Sequence, residues 1–129
     1  MISKVLYNPR NERIKYSYKM YLSKAKQRDS KTVMSIMKHL RKYEEYRDFV
    51  DFVFLSENII NQYVDALVEN NLSLSFVDHN LKVVRDFYSW LERQKGYKSK
   101  IDYNMLAYFS LTKNQRKEEK ATEFKEATN

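Results

Sequence analysis

The sequence predicts an all-α fold, namely a four-helix bundle followed by a C-terminal helical extension. The 129 residues include one glycine and one proline, too few for the tight turns of a hairpin sheet. Apolar residues recur at helical spacing in four separate stretches, which predicts four amphipathic helices. This length suits a single core. We therefore predict an N-terminal arm at 1–8, a helical domain at 9–96, and a linker with the helical extension at 97–129.

The first helix is predicted to run from Pro9 to Gln27. Asn8 is a good N-cap residue, and proline is favoured in the first helical turn that follows it. The apolar side chains of this stretch recur at the spacing of one helical face. The predicted inward positions are Ile14, Tyr18, Tyr21, Leu22 and Ala25.

The second helix is predicted from Lys31 to Tyr46, with Ser30 as its N-cap. The apolar run from Phe49 to Leu55 is too short for a membrane span and is predicted to be a buried connection between helices. The inward positions of the second helix are Val33, Ile36, Met37, Leu40 and Tyr43.

The third helix is predicted to begin after Ser56, to end at about Glu69, and to be closed by two asparagines that tolerate a left-handed backbone. Ser73 or Ser75 caps the fourth, which is predicted to reach about Gln94 and to stop at the glycine that follows. The inward positions are Ile59, Ile60, Tyr63, Val64 and Leu67 on the third helix, and Val77, Leu81, Val84, Phe87, Tyr88, Trp90 and Leu91 on the fourth.

Beyond residue 96 the helical signals are weaker. Asp102 could cap a short helix ending near Phe109, and a tail helix is predicted from Thr112. Phe124 is the only large apolar residue of the tail from Lys113 onward, so this helix would be marginal alone in water.

The positive charge is concentrated in the first half of the chain. Residues 1–56 hold 13 basic and 6 acidic residues, whereas the remainder is balanced, so the net charge of +7 arises from this part. Such asymmetry is typical of proteins that bind a polyanion such as nucleic acid. On the second helix, Lys31, Ser35, Lys38 and Lys42 share one outward face without an acid. A solvated surface is the alternative interpretation of that face.

Several classes of chemistry are not favoured by the sequence. The absence of cysteine excludes thiolate nucleophiles and Cys-ligated metals. His39 and His79 lack further ligands at metal-binding spacing, so neither a metal site nor a cofactor is predicted. The first residues do not form a secretory signal, and no apolar run is long enough to cross a membrane, so a cytoplasmic protein without a membrane partner is predicted.

Two stretches together resemble a known family. One begins Ser30-Lys31-Thr32-Val33 and continues to Leu40-Arg41-Lys42-Tyr43, and the other contains Leu72-Ser73-Leu74-Ser75 and Phe87-Tyr88-Ser89-Trp90-Leu91. They resemble the second and fourth helices of the N-terminal core-binding domain of tyrosine recombinases, the phage-integrase family. The resemblance covers about residues 9 to 110. It implies a SAM-like helical bundle that forms half of a C-shaped clamp around double-stranded DNA.

The resemblance also implies partners and contact residues. In this family a separate domain of the same recombinase cuts and rejoins DNA, and neighbouring protomers meet on the DNA. In relatives the start of the fourth helix approaches a groove of the DNA. In this sequence the acid Asp86 lies on the outward face of that helix, so charge alone would favour a solvated surface. The predicted DNA-binding residues are Lys24, Lys26, Lys31, Thr32, Ser35, Lys38, Lys42, Ser75, His79, Lys82 and Arg85.

The expected function is therefore duplex DNA binding by the core-binding domain of a site-specific recombinase. The family's catalytic residues include a His-x-x-Arg pair, but His39 and His79 are followed three residues later by Lys42 and Lys82. This chain is accordingly predicted not to be an enzyme by itself. Two alternatives remain: a helical protein-interaction module with a basic face, and a stand-alone DNA-binding regulator of the same fold.

Overall fold

The computed structural model describes residues 7–116, and within that range it contains helices and no β-strand. Helix α1 spans Pro9–Met20 and continues into a π-helical turn at Tyr21–Ala25. Helices α2, α3 and α4 span Ser30–Tyr46, Glu57–Glu69 and Leu74–Glu92. A short 3₁₀ helix follows at Tyr103–Tyr108. The all-α prediction is confirmed.

Side-chain caps define the beginning of each helix. The Asn8 side chain accepts hydrogen bonds from two backbone N–H groups of α1, and Ser56 and Ser73 each accept one from α3 and α4, so Ser73 rather than Ser75 is the cap. The predicted cap of α2 is wrong, because Asp29 accepts the hydrogen bond from Thr32 N at 2.8 Å and Ser30 is already helical. At its other end α4 stops at Glu92, two residues before the predicted position.

The core is organised around α4, whose inward side chains meet α2, α3 and the 3₁₀ helix and contact Tyr18 of α1 through Phe87 and Trp90. The inward positions predicted for α4 are all buried. On α1, the side chains of Ile14, Tyr18 and Leu22 are buried and Tyr21 is half-buried, but Ala25 is exposed. The π-helical turn explains the error at Ala25. Its hydrogen bonds join residues i and i+5 instead of i and i+4, which changes the angular position of the side chains around the helix axis.

The segment after residue 96, predicted to be a linker, contributes to the same core. Ile101, Leu106, Phe109 and Leu111 are buried, and the ring of Phe109 stacks on Tyr88 with centroids 5.6 Å apart. The structured unit therefore extends beyond the boundary predicted at residue 96. Conversely, the predicted buried connection is only partly buried, because Phe49 and Phe52 face the core whereas Val50 and Phe54 are exposed.

The predicted tail helix begins as expected. The side chains of Thr112 and Gln115 accept hydrogen bonds from each other's backbone N–H groups, which is a capping box. Gln115 also donates to Asp65 of α3, and Arg116 makes a bidentate ion pair with Asp78 of α4. The first turn of the tail is thus fastened to the bundle, and the rest of the predicted tail helix lies outside the described residues.

The hydroxyls of Tyr43 and Tyr88 inside the bundle are satisfied by directed hydrogen bonds. Tyr88 donates to the Phe52 carbonyl at 2.8 Å, and its oxygen is 2.8 Å from the Tyr43 hydroxyl, which in turn accepts from Arg47. Burial raises the pKa of both tyrosines, so both hydroxyls keep their protons as donors. No helix of the described chain is both long and apolar enough to cross a lipid bilayer.

Candidate nucleic-acid interface

A groove of about 670 Å³ lies between the π-helical turn, the first turns of α2 and the outer face of α4. Its floor is apolar and aromatic, formed largely by buried or half-buried side chains of the core. Its rim is strongly basic, and among the described residues that line it there is a single acid, Asp86. The floor includes Tyr18, Tyr21, Leu22, Val83 and Trp90, and the basic rim consists of Lys26, Arg28, Lys31, Lys82 and Arg93.

The π-helical turn shapes one wall of this groove. The backbone N–H of Lys26 donates to the carbonyl of Tyr21 at 3.0 Å, and that of Arg28 donates to Leu22 at 2.9 Å. Gln27, which lies between them, adopts the left-handed conformation with φ of 53° and ends the helix. The chain reverses here in such a way that Lys26 and Arg28 both line the groove, whereas Lys24 does not.

The basic rim is not neutralised by protein carboxylates. In the part of the chain that the structure describes, none of the five rim cations forms an ion pair. Other basic residues of the first half are paired: Arg10 contacts Asp51, and Lys15 contacts Glu44. The positive charge seen in the sequence is therefore reduced on the other side of α1 and retained around the groove.

Asp86 affects the floor of the groove. The pKa of Tyr18 is raised from 10.0 to about 12, first by burial of its ring and then by the negative charge of Asp86. Tyr18 consequently stays neutral at physiological pH. Its ring packs against Trp90 with centroids 4.9 Å apart, so the floor is a continuous aromatic surface below the cations.

The predicted DNA-binding residues all lie within the described range, but only some of them line the groove. Arg85 lies about 120° around α4 from His79 and is half-buried, which places it away from the groove. Lys38 is exposed on α2, Ser75 is exposed in the first turn of α4, and Lys24 is exposed on the π-helical turn. The predicted residues that line the groove are Lys26, Lys31, Thr32, Ser35, His79 and Lys82.

Beyond the groove, α2 and α4 meet along a polar seam. The His39 ring lies 4.8 Å from the His79 ring and 5.3 Å from the Phe76 ring, and the Lys42 ammonium group lies 5.7 Å from the centroid of Phe76. The pKa of His39 is lowered by burial and then by the positive charges of His79 and Lys42. Lys42 is thus close to the start of α4, next to the groove but not part of its lining.

Two groove cations were not among the predicted contacts. Arg28 follows the end of α1, so its direction depends on the left-handed residue before it. Arg93 shares the outward face of α4 with Lys82, at a spacing of 11 residues or three helical turns, which is a signal visible in the sequence. Asp86 lies on the same face, between the two.

The fold and the groove define a helical domain with a basic surface, a class that includes many nucleic-acid-binding domains. Comparison with known families assigns the domain more closely. The family model described as phage integrase, N-terminal SAM-like domain, matches residues 16–95, and the chain belongs to this family. The predicted family resemblance is confirmed, and this domain is a non-catalytic region of tyrosine recombinases. Neither curated proteins nor solved structures gave a match to the chain.

Proposed function

We propose that this chain is the core-binding domain of a site-specific tyrosine recombinase and that it holds double-stranded DNA against the basic rim of the groove between α1, α2 and α4. The observation that carries the proposal is the unpaired basic rim, where five cations face a single acid among the described lining residues. Such a surface attracts a polyanion mainly through phosphate contacts and the release of counterions.

The side chains, rather than the N-terminus of α2, supply the expected phosphate contacts. A free helix N-terminus is an anion site, but here the Asp29 carboxylate already occupies the Thr32 N–H. Lys31 follows this cap directly and lines the groove, together with Lys82 from α4. Affinity should therefore depend on the number of these cations and should fall steeply with salt.

The proposed role is to position the DNA for a separate catalytic domain of the same recombinase. Neighbouring protomers would complete the assembly on DNA. The structured core reaches Leu111, and the first turn of the tail is fastened to α3 and α4 through Gln115 and Arg116. This anchoring supports the proposal that residues after the bundle lead toward the catalytic domain from a defined point on its surface.

The test is a salt titration of binding to a short fluorescent DNA duplex. Lys31→Ala and Lys82→Ala should each weaken binding and reduce the slope of log affinity against log salt by about 1, because each removes about one phosphate contact. Lys113→Ala is the matched control, since this exposed lysine lies outside the groove. Its slope should equal that of the wild type.

A variant with the opposite sign makes the test sharper. Asp86→Asn removes the acid of the groove and should tighten binding severalfold at low salt, because it removes a repulsion between the carboxylate and the phosphates. Glu69→Gln, an equivalent change at an exposed site on α3, should have no effect. If the wild type fails to bind duplex DNA at low salt but binds an acidic protein, the protein-interaction alternative replaces this proposal.

A further inference from the structure

A buried hydrogen-bonded relay ends at His39, on the seam between α2 and α4. The Tyr63 hydroxyl donates to Asn80 Oδ1 at 2.5 Å, and Asn80 Nδ2 lies 3.0 Å from His39 Nδ1. Tyr63 and Asn80 are both fully buried. Burial also raises the pKa of Tyr63, so its hydroxyl remains a donor.

The orientation of the Asn80 amide follows from its neighbours. The same side-chain nitrogen also lies 3.5 Å from the backbone carbonyl of His39, which can only accept a hydrogen bond. Turning the amide over would place the Asn80 oxygen against the His39 carbonyl oxygen and would leave the proton of the buried Tyr63 hydroxyl without its acceptor. The amide nitrogen must therefore face His39, and its hydrogen is donated to His39 Nδ1.

This relay determines the tautomer of His39. Because Nδ1 accepts a hydrogen bond, the single proton of the neutral ring is on Nε2. Within the described part of the chain, Nε2 of His39 has no hydrogen-bond partner, and it is not among the buried atoms that lack one, so it is accessible to solvent. The ring thus presents an N–H donor to solvent beside His79, which lines the groove, and beside Lys42.

We infer that His39 is a further DNA-contacting residue, which donates a hydrogen bond from Nε2 to a phosphate oxygen while Asn80 and Tyr63 act as positioning residues. The inference rests on the proposed duplex binding. The proposed His39 contact differs from the lysine contacts in its effect on the salt dependence of binding. A neutral donor adds affinity without releasing a counterion, so its loss leaves the salt dependence unchanged.

The experiment compares two replacements of His39 in the full chain. His39→Phe keeps a planar ring against Phe76 and His79 but has no donor, and it should weaken binding to a short duplex about tenfold with an unchanged salt slope. His39→Gln carries an amide N–H near the position of Nε2–H and should restore most of the affinity. Lys31→Ala, measured alongside, should reduce both the affinity and the slope.

A second readout examines the relay without DNA. Ring ¹⁵N shifts of the wild type at neutral pH should show the Nε2–H tautomer, and Tyr63→Phe should shift the population toward Nδ1–H, because Asn80 then loses one of the two contacts that orient its amide. Binding by His39→Phe at wild-type affinity while Lys31→Ala is weakened would overturn the inference and leave duplex binding intact. An Nδ1–H ring in the wild type would overturn it as well. Failure of every variant and of the wild type to bind duplex DNA would overturn both proposals.

Discussion

Breaking the buried ion pair between α1 and α2 should destabilise the protein far more than breaking an exposed one. Lys15 Nζ lies 2.5 Å from Glu44 Oε1 and 2.9 Å from Glu12 Oε1, and the Glu44 side chain is fully buried. Lys15→Met would leave the Glu44 carboxylate without its counter-charge inside the bundle. Removing one partner of a buried pair typically costs about 3–5 kcal/mol of unfolding free energy, because the remaining charge is desolvated and unpaired.

The double variant separates the cost of an unpaired charge from the loss of contacts. Glu44→Gln removes the negative charge but keeps an oxygen that can accept the hydrogen bond from Asn11 Nδ2, now 3.3 Å from Glu44 Oε2. Lys15→Met combined with Glu44→Gln should therefore recover most of the stability lost in Lys15→Met alone. Arg10→Ala is the matched control. Its partner Asp51 is 3.1 Å away, but the Arg10 side chain is 54% exposed, so at most about 1 kcal/mol should be lost.

Urea unfolding followed by far-UV circular dichroism measures these differences directly. At this chain length each kcal/mol also corresponds to about 4 °C in melting temperature, so Lys15→Met should melt about 12–20 °C below the wild type. Two results would refute the reasoning. One is a loss for Lys15→Met as small as that for Arg10→Ala, and the other is a double variant as unstable as the single one.

Two further predictions concern the pH dependence of stability. The neutral phenol of Tyr18 is favoured in the folded state, where its pKa is about 12, while the unfolded chain ionises near 10.0, so stability should decline between these values. Tyr18→Phe should show a shallower decline in alkaline urea titrations, and an unchanged decline would contradict this. The pKa of Asp29 is lowered from 3.8 by the hydrogen bond from Thr32 N, so the charged cap stabilises the fold above that pH and its contribution is lost as the pH falls through the folded-state value. Asp29→Asn, which still caps α2, should remove this acid-dependent part of the melting profile, and a variant with the wild-type profile would argue against it.

Most of the helical framework was predictable because local signals and the hydrophobic pattern agreed. Asn8 and Ser56 are both followed by apolar residues at helical spacing, and both are caps in the structure. The cap of α2 was predicted at Ser30 instead of Asp29, because the two residues are adjacent and both residue types cap well.

Contacts distant in sequence account for the remaining errors in the fold. The polar run Lys98-Ser99-Lys100 directly after Gly96 indicated a linker. Phe109 nevertheless stacks on Tyr88 and meets Tyr43 at 6.1 Å, which fastens this segment beneath the bundle. Likewise, the pairing of Lys15 with Glu44 joins residues 29 positions apart, and nothing in either local sequence indicates it.

The sequence by itself determined that the protein is all-α, which faces of its helices are apolar, and that its net positive charge arises from the first half of the chain. These properties depend on residue type and on spacing along one helix, so they can be read without a fold. Only the tertiary structure decided which cations stay unpaired and share one groove. That outcome depends on the left-handed turn at Gln27, which brings Arg28 beside Lys31 and Lys82, and on the relay that holds His39 at the seam of α2 and α4. Such juxtapositions depend on the packing of separate helices, which helical periodicity does not encode.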